Sequence, residues 1–222
     1  MVRKLGLAAL ALSTVAGTAL WLGSQTVGGG LMPPMAAAAQ DTAPAATATV
    51  PDMVLGVETA PVTVVEYSSF TCPHCAHFEA EVLQPLKREY IDSGKVRFVY
   101  REVYFDRYGL WAAMIARCGG EMRYFAISDM IFRQQKEWIS DDPQKIAANL
   151  RKIGKTAGLE DAALDACMND KAKAEAMVAT FQKNTGADEI TATPTLIING
   201  TKHSNMSYED LKKIIDAELA KG

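Results

Sequence analysis

The residues of this chain best suited to chemistry are Cys72 and Cys75, with Pro73 and His74 between them. Two thiols two residues apart at the start of a helix can close and reopen a disulfide with little backbone movement. A β-rich run from Val62 to Ser69 precedes the pair, and apolar residues at helical spacing follow it. A Cys-x-x-Cys between a strand and a helix is the setting of a redox dithiol.

The elements around the pair must give its two sulfurs different environments. Pro73 suits the first helical position, where its missing N–H is no loss. Cys72 is therefore expected at the N-cap, facing unpaired amide donors and the positive end of the helix dipole. His74 can add a hydrogen bond or a positive charge, and such surroundings lower a cysteine pKa from about 8.5 to roughly 3.5–7.5. Cys75, Phe78, Val82 and Leu86 recur at helical spacing, which places Cys75 on the core-facing stripe as the buried, resolving thiol. Cys72 would then exchange with a substrate sulfur and Cys75 would release the mixed disulfide. Zinc is the competing use of such a pair. It needs four ligands, yet only His77 lies nearby and the chain has no second closely spaced Cys or His pair. A purely structural Cys72–Cys75 bridge would close too short a loop to constrain the unfolded chain much.

Glu66 precedes the dithiol on the strand, and alternation puts it on the same face as Val62 and Val64. Two readings follow. Buried beneath the dithiol, it would have a raised pKa and could take the proton of Cys75 as a general base. On an edge strand it would be a solvent-facing glutamate.

The run from Ala60 to Cys75, taken with Thr193-Pro194-Thr195-Leu196-Ile197-Ile198-Asn199-Gly200, resembles the DsbA-like thiol:disulfide oxidoreductases of bacterial envelopes, over residues 52–222. The resemblance implies an α/β, thioredoxin-like fold with an inserted α-helical domain. It implies Cys72 as nucleophile, Cys75 as resolving thiol, His74 as the thiolate-stabilising residue and Glu66 as a buried acid. It also implies a cis-proline at Pro194, with Thr193 and Pro194 offering main-chain partners to an extended substrate peptide. Without the resemblance, Pro194 reads as a strand-entry proline. Thr193 stands where the resemblance to the best-known oxidases would lead to valine, and threonine there is similar to isomerase and reductase relatives. No cofactor or metal is expected.

Arg3 and Lys4 precede an uncharged apolar run from Leu5 to Leu22, which predicts a signal peptide or an uncleaved anchor over 1–39. In either case the rest of the chain would face the envelope. Residues 40–51, rich in Ala, Thr and Pro, predict a flexible linker. The remainder divides into a thioredoxin-like domain over 52–105 and 186–222 and a helical insertion domain over 106–185. A strand over Val96–Val103 follows a stop at Gly94, and four or five helices are expected between Gly109 and Lys183. The chain then predicts a strand at Thr195–Ile198, a turn at Asn199-Gly200, a short strand at Thr201–His203 and a closing helix capped by Ser207 and Asp210.

Cys118 and Cys167 both fall in the insertion, and in an oxidising envelope they predict a structural disulfide; two buried free thiols are the alternative. His203 is expected to be a hairpin residue. Tyr100, Tyr104, Phe105, Tyr108 and Trp111 are expected at the junction of the two domains, some of them lining a substrate groove. A net charge of −3 leaves no basic footprint for nucleic acid.

The resemblance, with the export segment, implies a periplasmic, monomeric oxidase that introduces disulfides into reduced, unfolded exported proteins and is reoxidised by a membrane redox partner. The alternatives are a disulfide isomerase or reductase, and a non-catalytic thiol chaperone or metal carrier using the same pair. The stretch between 40 and 60 holds no dimerisation domain, which argues against a dimeric isomerase.

Overall fold

Alternation along Val62–Ser68 buries Val62, Val64 and Glu66 and leaves Thr63 and Val65 only partly covered, as expected of a strand with one face on a core. This strand is the centre of the fold. In the computed structural model, which describes residues 50–221, five strands form one sheet in the order β1-β3-β2-β4-β5. They are β1 Met53–Leu55, β2 Val62–Ser68, β3 Val96–Glu102, β4 Thr195–Ile198 and β5 Thr201–Ser204. β2 runs parallel to β3 and antiparallel to β4, so Glu66 lies between Tyr100 and Leu196. The two outer pairings, β1 with β3 and β4 with β5, are antiparallel. Asn199 (φ 44°) and Gly200 (φ 85°) make the β4–β5 turn, both with the positive φ that a two-residue hairpin of type I′ needs.

The expected α/β sheet with helices inserted between β3 and β4 is present. β1 was not expected; Met-Val-Leu is too short to show alternation, and only its pairing with β3 defines it. The predicted signal or anchor over 1–39, and the linker up to residue 49, lie outside the described residues.

From Pro73 the chain runs as α1 (Pro73–Phe78) and α2 (Gln84–Leu86), continued by π-helical turns at Glu79–Leu83 and Lys87–Ile91. Cys75, Phe78, Val82 and Leu86 are buried in the main core, as their spacing required. Gly94 (φ 73°) ends this segment in the left-handed region, and β3 begins two residues later.

The insertion holds α3 (Arg107–Cys118), α4 (Glu121–Arg133), α5 (Gln135–Trp138), α6 (Pro143–Thr156), α7 (Asp161–Met168) and α8 (Lys171–Ala187). These six exceed the four or five expected, because Gln134 alone separates α4 from α5, without the Gly or Pro that would mark a break in sequence. The last helix also continues past Lys183. Helix α3 packs on α4, α6, α7 and α8 and is bound to the sheet by a buried ion pair. Arg117 Nη2 lies 2.7 Å from Glu102 Oε2 at the end of β3, and both side chains are 5% exposed. Tyr124 and Tyr104 donate hydroxyl hydrogen bonds to the same carboxylate, at 2.7 and 2.9 Å. Helix α9 (Tyr208–Leu219) starts with the Ser207 hydroxyl accepting the Asp210 N–H and buries Leu211 and Ile215.

Candidate active site

Cys72 is the N-cap of α1, in extended backbone (φ −86°, ψ 120°), and Pro73 opens the helix. Both cysteines are free thiols, Cys72 half-buried and Cys75 fully buried. Their environments push them in opposite directions. The Cys72 thiol is lowered to about 5, chiefly because the Cys75 thiol donates a hydrogen bond to its thiolate, against an opposing effect of partial burial. The Thr193 side chain adds to the lowering, although its buried hydroxyl completes no strict hydrogen bond among the described residues. The backbone amides of Cys75 and His74 contribute further, although neither completes a strict capping hydrogen bond. His74 acts through that amide, since its ring is exposed and makes no hydrogen bond among the described residues. Protonated, Cys72 Sγ would donate to the Thr193 carbonyl, 3.5 Å away.

Cys75 is raised, first by burial, then because its proton serves Cys72, then by the charge of Glu66. Its sulfur accepts the Ser69 N–H at 3.5 Å. Glu66 is 1% exposed, so the solvent-facing reading falls; β2 is a central strand, not an edge, and its covered face shuts the carboxylate off from bulk solvent. Burial raises its carboxyl well above the usual range, with the nearby Glu79 charge adding to the effect. Glu66 Oε2, Ser68 Oγ and Tyr100 Oη are all buried without a hydrogen-bond partner among the described residues. Glu79, in the first π-helical turn, is pushed up to about 8 by burial and the Asp129 charge, with Arg133 acting the other way. The arrangement therefore has a sulfur that departs readily as a thiolate, a sulfur that keeps its proton, and a buried acid whose charge acts on the second of them.

The Thr193–Pro194 peptide is cis, Pro194 is buried, and the Thr193 main chain borders Cys72. Cys118 and Cys167 are joined by a disulfide linking the ends of α3 and α7, with Cα atoms 5.8 Å apart. His203 lies in β5 opposite Leu196, half-buried. The predicted aromatic junction divides. Tyr100 in β3 packs on Tyr124 and Phe125 of the insertion and on Phe70 before α1, and Tyr104, just after β3, packs on Phe181 of the insertion. Tyr108 and Trp111 meet edge to face under Arg107, while Phe105 is 62% exposed because it lies in the loop between β3 and α3.

Several neighbours of the dithiol were not found from sequence. Gln135 donates to the carbonyls of Phe70 and Cys72, and Thr71 donates to Asp106, the N-cap of α3. Asp106 carried a signal, an acidic cap before a helical run. Gln135, Ser68 and Glu79 carried none, since each is polar in a stretch whose burial is set by distant elements.

Among the described residues no cluster of three or more His, Cys, Asp or Glu is placed to hold a metal ion, and no helix is long and apolar enough to cross a membrane. Residues 48–217 match the family model described as Thioredoxin. A putative protein-disulfide oxidoreductase of Rickettsia bellii is 34% identical over 169 residues, covering 76% of this chain and 64% of the relative. The chain thus spans less than two thirds of that relative's length. A probable disulfide bond formation protein D of Bacillus cereus is 31% identical over 184 residues, covering 75% of this chain and 78% of that protein. The crystal structure of Wolbachia pipientis alpha-DsbA1 superposes with a TM-score of 0.73 at 29% identity, covering 77% of this chain and 92% of that one.

Proposed function

Because the chain belongs to the thioredoxin family, among its DsbA-like disulfide oxidoreductases, we propose that it oxidises cysteine pairs in exported, unfolded proteins of the cell envelope. The observation that carries this reading is the asymmetry of the two sulfurs, Cys72 half-exposed at a helix tip beside Thr193 and Cys75 buried over Glu66. In the oxidised form a client thiolate attacks Cys72 Sγ, the Cys72–Cys75 bond breaks, and Cys75 leaves with a proton supplied by Glu66. The second client thiolate then attacks the client sulfur of the mixed disulfide. Its bond to Cys72 breaks, Cys72 leaves as a thiolate, and the client has lost two electrons to the dithiol. The cis Thr193–Pro194 segment supports an extended client backbone beside the reacting sulfurs.

A membrane redox partner would return the dithiol to its disulfide, and the protein would act as a monomer. The apolar segment from Leu5 to Leu22 supports export, either as a signal or as a tether. Cys118–Cys167 takes a structural role, lying outside any helix-start setting. The oxidised protein mixed with a reduced, unfolded multi-cysteine substrate should form disulfides in it while failing to rescue the same substrate with scrambled disulfides. Thr193 favours the isomerase as the second reading, and rescue without oxidation would establish it in place of the oxidase.

A further inference from the structure

Gln135 is the first residue of α5, far along the chain from the dithiol, and only 6% exposed. Its Nε2 donates to the carbonyl of Phe70 at 2.8 Å and to the carbonyl of Cys72 at 3.0 Å. A primary amide has two N–H groups, and both are spent on the two sides of Thr71, the residue before the nucleophile. The Cys72 carbonyl is also the first acceptor of the helix, taking the N–H groups of Cys75 and Ala76 at 3.2 Å each.

We propose that Gln135 is a positioning residue of the dithiol centre: its amide, reaching out of the helical insertion, clamps the Phe70–Cys72 turn and so holds the Cys72 sulfur against the groups that favour its ionised form. This rests on the redox reading of the Cys72–Cys75 pair. Helix α5 does not need the clamp for its own place, because Trp138 anchors it, 1% exposed and donating its indole N–H to Ile131 at 2.9 Å. The insertion also meets the turn through Phe132, whose ring lies 4.9 Å from that of Phe70. What Gln135 adds is electrostatic and directional. The carbonyl oxygens on the two sides of Thr71 carry partial negative charge in the turn that holds the nucleophile, and the two N–H groups of Gln135 offset it. Without them the same oxygens would oppose a thiolate, and the extended N-cap would lose its outer restraint.

The test is the pH dependence of Cys72 alkylation by iodoacetamide in the reduced full chain, Cys75 being buried from the reagent. Gln135→Met keeps the shape and removes both donors; its alkylation midpoint should rise by about half to one unit, with a threefold to tenfold lower rate, in order of magnitude, on the acidic side. Gln135→Glu, buried against two carbonyl oxygens, takes up a proton and keeps one donor, so its midpoint should rise less than that of Gln135→Met. A role in packing alone gives no such order. Asn149→Ala removes a side-chain hydrogen bond to the Glu137 carbonyl in the same short helix and should leave the midpoint in place. A folded Gln135→Met with the wild-type midpoint overturns the proposal. Should the variants not fold, the wild-type protein still decides, because the side-chain amide resonances of Gln135 must shift as Cys72 ionises, and resonances blind to that titration overturn the clamp. A wild-type midpoint at the ordinary thiol value would instead overturn the redox reading itself.

Discussion

Cys72→Ser replaces the sulfur by oxygen, keeps nearly the same shape and removes one ionisation. In the folded, reduced protein the Cys72 thiol is lowered to about 5, against about 8.5 in an unfolded chain. A depressed folded value stabilises fully above the unfolded pKa and is lost as pH falls through the folded one. Between these limits the reduced fold gains about 1.4 kcal/mol per pH unit, which reaches about 2.7 kcal/mol at neutral pH. The sulfur is only half-buried, so solvent screens part of this, and about 1.5–2.5 kcal/mol is expected to survive. Urea unfolding of the reduced protein and of Cys72→Ser, run from about pH 4 to pH 8, reads the term directly. The difference between the two should grow from its acid limit by that amount at neutrality, and the oxidised protein, which has no thiolate, should show no such growth. A difference that stays flat across the range would refute the reasoning that the helix tip and its neighbours hold this sulfur ionised.

Glu66→Gln should slow the step in which Cys75 leaves or recovers its proton by about 10²-fold, seen in rapid-quench trapping of the mixed disulfide. Because burial raises the Glu66 carboxyl, its stabilisation is present below the unfolded carboxylate pKa and lost as pH rises; Glu66→Gln should therefore unfold at higher urea than wild type near neutrality, and a lower midpoint there would contradict the burial argument. Replacing Cys118 and Cys167 together by alanine opens a bridge spanning a sequence separation of 49; a loss of about 4 kcal/mol, near 10 °C in Tm by calorimetry, is expected, and an unchanged Tm would deny the bridge its structural role. Arg117→Met leaves the Glu102 carboxylate buried with only two tyrosine hydroxyls, so chemical denaturation should show a loss of about 3–5 kcal/mol, whereas the double replacement with Glu102→Gln should lose much less.

The parts of the site governed by local rules were legible in sequence. Pro73 after Cys72 marked a helix start, spacing put Cys75 on the buried stripe, and strand alternation put Glu66 on the face of Val62 and Val64, while its burial was decided only by the central place of β2 in the sheet. Asn199-Gly200 named its own turn, and Ser207 its helix start. Features set by contacts between distant elements were not legible. Met53–Leu55 becomes a strand only because β3 offers it an edge. Arg117 and Glu102 look like solvated charges on a helix and a strand end until the insertion folds over both. Gln135 is an ordinary polar residue in a helical stretch, and its hydrogen bonds cross more than sixty positions of chain. The resemblance to a family carried the position of Pro194, which spacing alone reads as the entry to a strand.

The claim that this dithiol gives its disulfide away is tested most directly by its equilibrium with glutathione. Reduced and oxidised protein, trapped by alkylation across a series of thiol-to-disulfide ratios at neutral pH, give the midpoint potential of the Cys72–Cys75 couple. A thiolate stabilised at Cys72 favours the reduced form, so a potential more oxidising than about −200 mV is expected. A value near the −270 mV or so of a thioredoxin would contradict it.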